Sequence, residues 1–113
     1  MVKKAADTKI IQLIYKLAGD LSRVKTTQRV YYDLLSYNLT VRAVCDAIRE
    51  WIDAGEVVAQ DVTTGTESHI KSHVGKCHYI MKPVIDGQKF FIKVGIEKNE
   101  ETGEYMMIIS THL

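Results

Sequence analysis

Long apolar runs are missing from this chain. Nowhere does it hold the roughly 18 to 20 uninterrupted apolar residues of a transmembrane helix, and no membrane association is expected. Cysteine is scarce: Cys45 and Cys77 stand apart with no CxxC spacing, which suits a reducing cytoplasm better than a disulfide scaffold. The opening MVKKAADTK puts Asp7 and Lys9 where a signal peptide needs its apolar stretch, so export by that route is not expected. No glycine-rich phosphate loop, serine-centred elbow or paired-carboxylate motif occurs, which leaves nucleotide hydrolysis and glycosidase chemistry without support. An excess of one charge is lacking too. With 15 Lys and Arg against 14 Asp and Glu the net is +1, too near neutral for a protein that coats nucleic acid indiscriminately. What is present is 113 residues, 46% of them hydrophobic, enough for one domain around one core.

Charge is unevenly distributed. Residues 1 to 30 carry a net of +5, residues 31 to 67 a net of −5, residues 68 to 96 a net of +4 and the remainder a net of −3. A local basic surface able to touch a few phosphates is therefore expected from residues 68 to 96.

The pattern predicts helices first and strands after. Ile10, Ile11, Leu13, Ile14, Leu17 and Ala18 recur at helical spacing behind Asp7, a suitable N-cap, which gives a helix over about 8 to 19. Thr27 caps a second helix through Val30, Tyr31, Leu34 and Leu35, joined to the first by the short basic segment LSRVKTT. Thr40 precedes Val41, Val44, Cys45, Ile48, Trp51 and Ile52, an apolar stripe that stops at Gly55 in the position of a left-handed C-cap. Beyond it, EVVAQDV reads as a strand and TTGTESHIKSHVG as a loop. KCHYIMKPVI and QKFFIKVGIE flank Asp86-Gly87, a strong hairpin signal, and KNEETG turns into EYMMIISTH. An α+β domain follows, with the N-terminal helices (about 8 to 54) on one face of a C-terminal antiparallel meander (about 56 to 112).

With Ile85 opposite Gln88 across a two-residue turn, the hairpin faces separate. Tyr79, Met81, Pro83, Ile85, Phe90, Ile92, Val94 and Ile96 form an apolar face for the helices. His78, Ile80, Lys82, Val84, Lys89, Phe91, Lys93 and Gly95 form a basic one. Pairing Glu97 with Glu104 brings His112 opposite Lys89 and Ser110 opposite Phe91 onto that basic face, whereas a one-residue slip moves both to the core, and the all-apolar Met106 to Ile109 does not choose between them. On the first register Lys82, Lys89 and Lys93 can hold phosphates of RNA, Ser110 adds a hydroxyl, Phe91 offers a stacking platform, and His78 with His112 supply proton transfer. Those are the parts that RNA cleavage without a metal or other cofactor requires: a base for the ribose 2′-hydroxyl, an acid for the departing oxygen, and cations for the charge on phosphorus. The bland alternative is a solvated sheet face with incidental histidines.

Other constellations compete. His69, His73 and Cys77 recur every four residues with His78 adjacent, yet Gly75 and the strand at Cys77 interrupt the helix a zinc site would need. Three helices and a hairpin also describe a winged-helix DNA-binding protein, but residues 41 to 56 hold Arg42 and Arg49 against Asp46, Glu50, Asp53 and Glu56. Tyr31, Tyr32 and Tyr37 lie around the acidic helices and would be the working surface of a non-enzymatic adaptor.

The stretches VKTTQRVYYDLLSYNLT, ESHIKSH and HYIMKPVIDGQKFFIKVGI resemble the MqsR-type toxins of bacterial toxin–antitoxin pairs, small ribonucleases of the RelE-like fold, over about residues 10 to 97. The closing IISTH is similar to the last strand of related toxins. The resemblance implies a cytoplasmic, metal-independent endoribonuclease that cleaves mRNA and is neutralised by a protein antitoxin. It also implies catalytic roles for Lys71, in HIKS, and for Tyr79, ahead of Lys82-Pro83. At Tyr79 the two readings differ, because the hairpin alternation assigns it to the core.

Overall fold

The computed structural model describes residues 4–62 and 77–113. Three helices form where the capping residues stand. Asp7 accepts a hydrogen bond from the Lys9 amide (3.1 Å) at the start of α1 (Thr8–Ala18), Thr27 from Val30 (3.2 Å) at α2 (Gln28–Ser36), and Thr40 from Ala43 (3.0 Å) at α3 (Val41–Asp53). Gly55, at φ +76°, takes the left-handed turn that follows α3.

A 3-10 turn (Leu21–Arg23) and eight strands complete the elements of the described residues: β1 (Lys4–Ala5), β2 (Val24–Thr26), β3 (Ala59–Val62), β4 (Cys77–Met81), β5 (Val84–Ile85), β6 (Gln88–Lys89), β7 (Phe91–Asn99) and β8 (Gly103–His112). Six of them make one sheet in the order β1-β3-β4-β7-β8-β2, antiparallel except for β2, which runs parallel to β8. The fold is thus α+β with a mostly antiparallel sheet, as the pattern predicts. The parallel edge strand is a departure: Val24 to Thr26, read as part of a connection, pairs with Met106 to Ile108.

The Asp86-Gly87 turn has both residues at positive φ (50° and 78°), and its ladder runs Ile85 opposite Gln88, Val84 opposite Lys89, and on to Met81 opposite Ile92 and Tyr79 opposite Val94. The register is the expected one throughout. The ladder nevertheless divides at Pro83, which has no amide to donate, so β5 and β6 form a separate ribbon joined to the main sheet through the Phe90 amide and the Pro83 carbonyl (2.9 Å).

One sheet face meets the helices. Ile14, Leu17, Val30, Leu34, Val44 and Ile48 pack in one core with Met81, Ile92, Val94, Met106 and Ile108, all nearly or fully buried. Among the described residues no helix is long and apolar enough to cross a membrane.

Candidate functional site

The opposite face of the main sheet is set by how β7 meets β8. Leaving the Asn99–Gly103 turn, Glu97 pairs with Tyr105, one residue away from the expected Glu104. Such a slip alone would carry Ser110 and His112 into the core. A bulge intervenes: Val94 pairs with Ile108 but Lys93 pairs with Ser110, so Ile109 is the extra residue and the alternation is restored beyond it. His112 therefore stands opposite Phe91 rather than Lys89, and Ser110 opposite Lys93 rather than Phe91. Both stay on the face turned away from α1, α2 and α3, while Thr111 between them is wholly buried.

The Phe91 and His112 rings are stacked, with centroids 5.0 Å apart and planes 18° from parallel. His112 is exposed and Phe91, Lys93 and Ser110 are half-buried. His112 Nδ1 lies 3.1 Å from the main-chain oxygen of Leu113. That oxygen only accepts, so the contact is a hydrogen bond when Nδ1 carries the proton, leaving Nε2 as the acceptor a general base needs. Cross-strand neighbours have Cβ atoms about 4.5 to 5.5 Å apart, which keeps Lys93, Ser110, Phe91 and His112 within the span of one nucleotide.

The remaining candidates are dispersed. His78 lies on the same face but is 1% exposed, opposite the buried Asp61 and over Gly95, where an added Cβ would come within 3.1 Å of its Cδ2. Gly95 is four positions along β7 from Phe91, about 13 Å at roughly 3.3 Å per residue, and His78 and His112 flank β7 from opposite sides. The two imidazoles therefore do not meet at one phosphate, and the expected acid–base pair of histidines is not assembled. Tyr79 faces the helices within the core, and its phenol is pushed up in pKa by burial first and by Cys77 second. It lies on the wrong side of the sheet for the site. Lys82 and Lys89 leave the main sheet with the β5–β6 ribbon and share a cleft beside α3 with Glu50, Trp51 and Glu56. They do not extend the surface around Lys93. Lys71, and His69 and His73 of the zinc spacing, lie outside the described residues.

Sequence reasoning missed Asp61, whose place opposite His78 depends on the β3–β4 register, and Lys25 with Tyr105, which depend on the unforeseen strand β2. No local signal fixes either pairing. Comparison with family models, with curated proteins and with solved structures found no match.

Proposed function

We propose that the chain is a metal-independent endoribonuclease, a cytoplasmic toxin of the MqsR-type, RelE-like kind that cleaves mRNA and is held inactive by a protein antitoxin. The observation that carries this reading is the stacked, exposed His112 beside Lys93 and Ser110 on the sheet face turned away from α1, α2 and α3. His112 Nε2 takes the proton of a ribose 2′-hydroxyl. The freed oxygen attacks the adjacent phosphorus, and the bond to the 5′-oxygen breaks to leave a 2′,3′-cyclic phosphate. Lys93 stabilises the charge developing on the phosphoryl oxygens, and its ammonium supplies the proton that the departing 5′-oxygen takes up. The Phe91–His112 pair offers a base its stacking surface.

A protein partner is supported by α2, where Tyr31, Tyr32 and Leu35 are each more than half exposed. The same observation favours a second reading, a non-enzymatic adaptor. Incubating the purified chain with labelled single-stranded RNA in EDTA separates the two. Cleavage to 2′,3′-cyclic phosphate ends that disappears in His112→Ala is the expected result. RNA neither cut nor bound at low salt would overturn the ribonuclease reading in favour of the adaptor.

A further inference from the structure

The face turned away from α1, α2 and α3 continues past the bulge. Met106 and Ile108 are fully buried in the core, so Tyr105 and Met107 point the other way, to the side that carries Ser110 and His112. Alongside them on the edge strand β2, Lys25 stands opposite Met107, and its Nζ lies 4.7 Å from the centre of the Tyr105 ring. Lys25 is exposed and Tyr105 half-buried. Glu97, paired with Tyr105, is an acid on this side, as is the buried Asp61 beyond β4. An exposed ammonium over an aromatic ring holds two groups that single-stranded nucleic acid uses, a cation for a phosphate and a flat surface for a base. Tyr105 and His112 are seven residues apart on β8, roughly 23 Å at about 3.3 Å per residue, with Lys93 and Ser110 between them on the way to Phe91.

We infer that Lys25 and Tyr105 form a second nucleotide-binding position, so that single-stranded RNA lies lengthwise along β8 and is gripped both at Phe91–His112 and at Tyr105–Lys25. This rests on the ribonuclease reading above and adds to it the substrate class: an unpaired segment several nucleotides long. Lys25 swings from the ring to a phosphate, which frees the ring for a base. Paired bases cannot use such surfaces, because stacking on a side chain requires them to be splayed out of a helix.

The test is binding of the full chain to 2′-O-methyl oligoribonucleotides, which lack the attacking hydroxyl, as a dinucleotide and as an octanucleotide at fixed low salt. Tyr105→Ala and Lys25→Ala are expected each to weaken the octanucleotide by about tenfold and to leave the dinucleotide unchanged, while Phe91→Ala weakens both. Tyr105→Phe, which keeps the ring, retains octanucleotide binding. If Phe91→Ala weakens both lengths and neither Tyr105→Ala nor Lys25→Ala affects the longer one, the second position is wrong and the ribonuclease reading stands. Equal weakening of both lengths by Tyr105→Ala also overturns the second position. If neither length binds, or Phe91→Ala changes neither, both readings fail together. Lys25→Ala alters only an exposed side chain and keeps the test decisive should Tyr105→Ala unfold.

Discussion

His112 lies flat against Phe91 across the β7–β8 ladder, 5.0 Å between ring centres, at the end of a strand whose bulge alone keeps both rings on one face. The stack does more than present an aromatic surface. It holds the imidazole in one orientation while Leu113 holds its Nδ1. Phe91→Leu keeps an apolar side chain but removes the ring, and it is expected to lower RNA affinity by about 1 kcal/mol, near fivefold. Cleavage should fall further than affinity, because the base is also released from its orientation. Binding and single-turnover cleavage measured on the same preparation check this. An equal loss in both would mean that Phe91 contributes affinity alone.

Gly95 is where the two strands flanking β7 are accommodated. A Cβ there would lie 3.1 Å from His78 Cδ2 and 3.1 Å from Ile109 Cδ1, a buried ring on one side and the bulge residue on the other. Gly95→Ala should therefore destabilise the fold by about 1 to 3 kcal/mol, the usual cost of overpacking. The midpoint of urea unfolding reads this out. An unchanged midpoint would show that the His78 ring has room to shift.

The Cys45 thiol is held neutral. Burial pushes its pKa up from 9.0 to about 11, with Asp46 adding to the rise and Arg42 opposing it. Because the folded value is raised above the unfolded one, this contribution to stability is complete below about pH 9 and is lost as pH climbs toward about 11. Unfolding followed across that window should show stability falling, with a shallower fall in Cys45→Ala. Tyr79, raised in the same direction, accounts for part of the remaining slope, and Tyr79→Phe should remove it. At neutral pH, iodoacetamide should label the exposed Cys77 and spare Cys45.

How far the fold can be read from the sequence follows the locality of each signal. Asp7, Thr27 and Thr40 announce their helices because a cap acts within three residues. Asp86-Gly87 fixes the register as far as Tyr79 and Val94 because a turn with two positive φ angles admits only one alignment of the strands beside it. The last strand is different. Met106 to Ile109 are apolar on both faces, so no alternation discloses that Ile109 is the surplus residue. Strand β2 is three residues long and parallel to the far end of the chain, and neither length nor periodicity betrays it. Lys82, Lys89 and Lys93 alternate correctly, but Lys89 belongs to a ribbon that Pro83 separates from the sheet and Lys82 stands at that junction, which alternation cannot reveal.

That division of the basic residues yields the sharpest contrast among single substitutions. Lys93 sits between Phe91 and Gly95 on the main sheet, paired with Ser110 beside the stacked His112. Lys82 and Lys89 line a cleft with two glutamates next to α3. If the sheet face that carries His112 cuts RNA, Lys93→Ala removes both the cation at the phosphate and the proton donor to the leaving oxygen, and cleavage should fall by about a hundredfold or more. Lys82→Ala and Lys89→Ala should each stay within about twofold of the parent, since an exposed lysine away from the scissile phosphate contributes only to the general field. Lys82 and Lys89 are exposed, and their replacement is expected to shift stability by less than about 0.5 kcal/mol; Lys93 is half-buried, and the urea midpoint of Lys93→Ala, measured alongside, separates a loss at the site from a loss of fold. Cleavage rates for the three variants, measured at one salt concentration, decide the matter. A larger loss in Lys82→Ala or Lys89→Ala than in Lys93→Ala would move the site to the α3 cleft and away from His112.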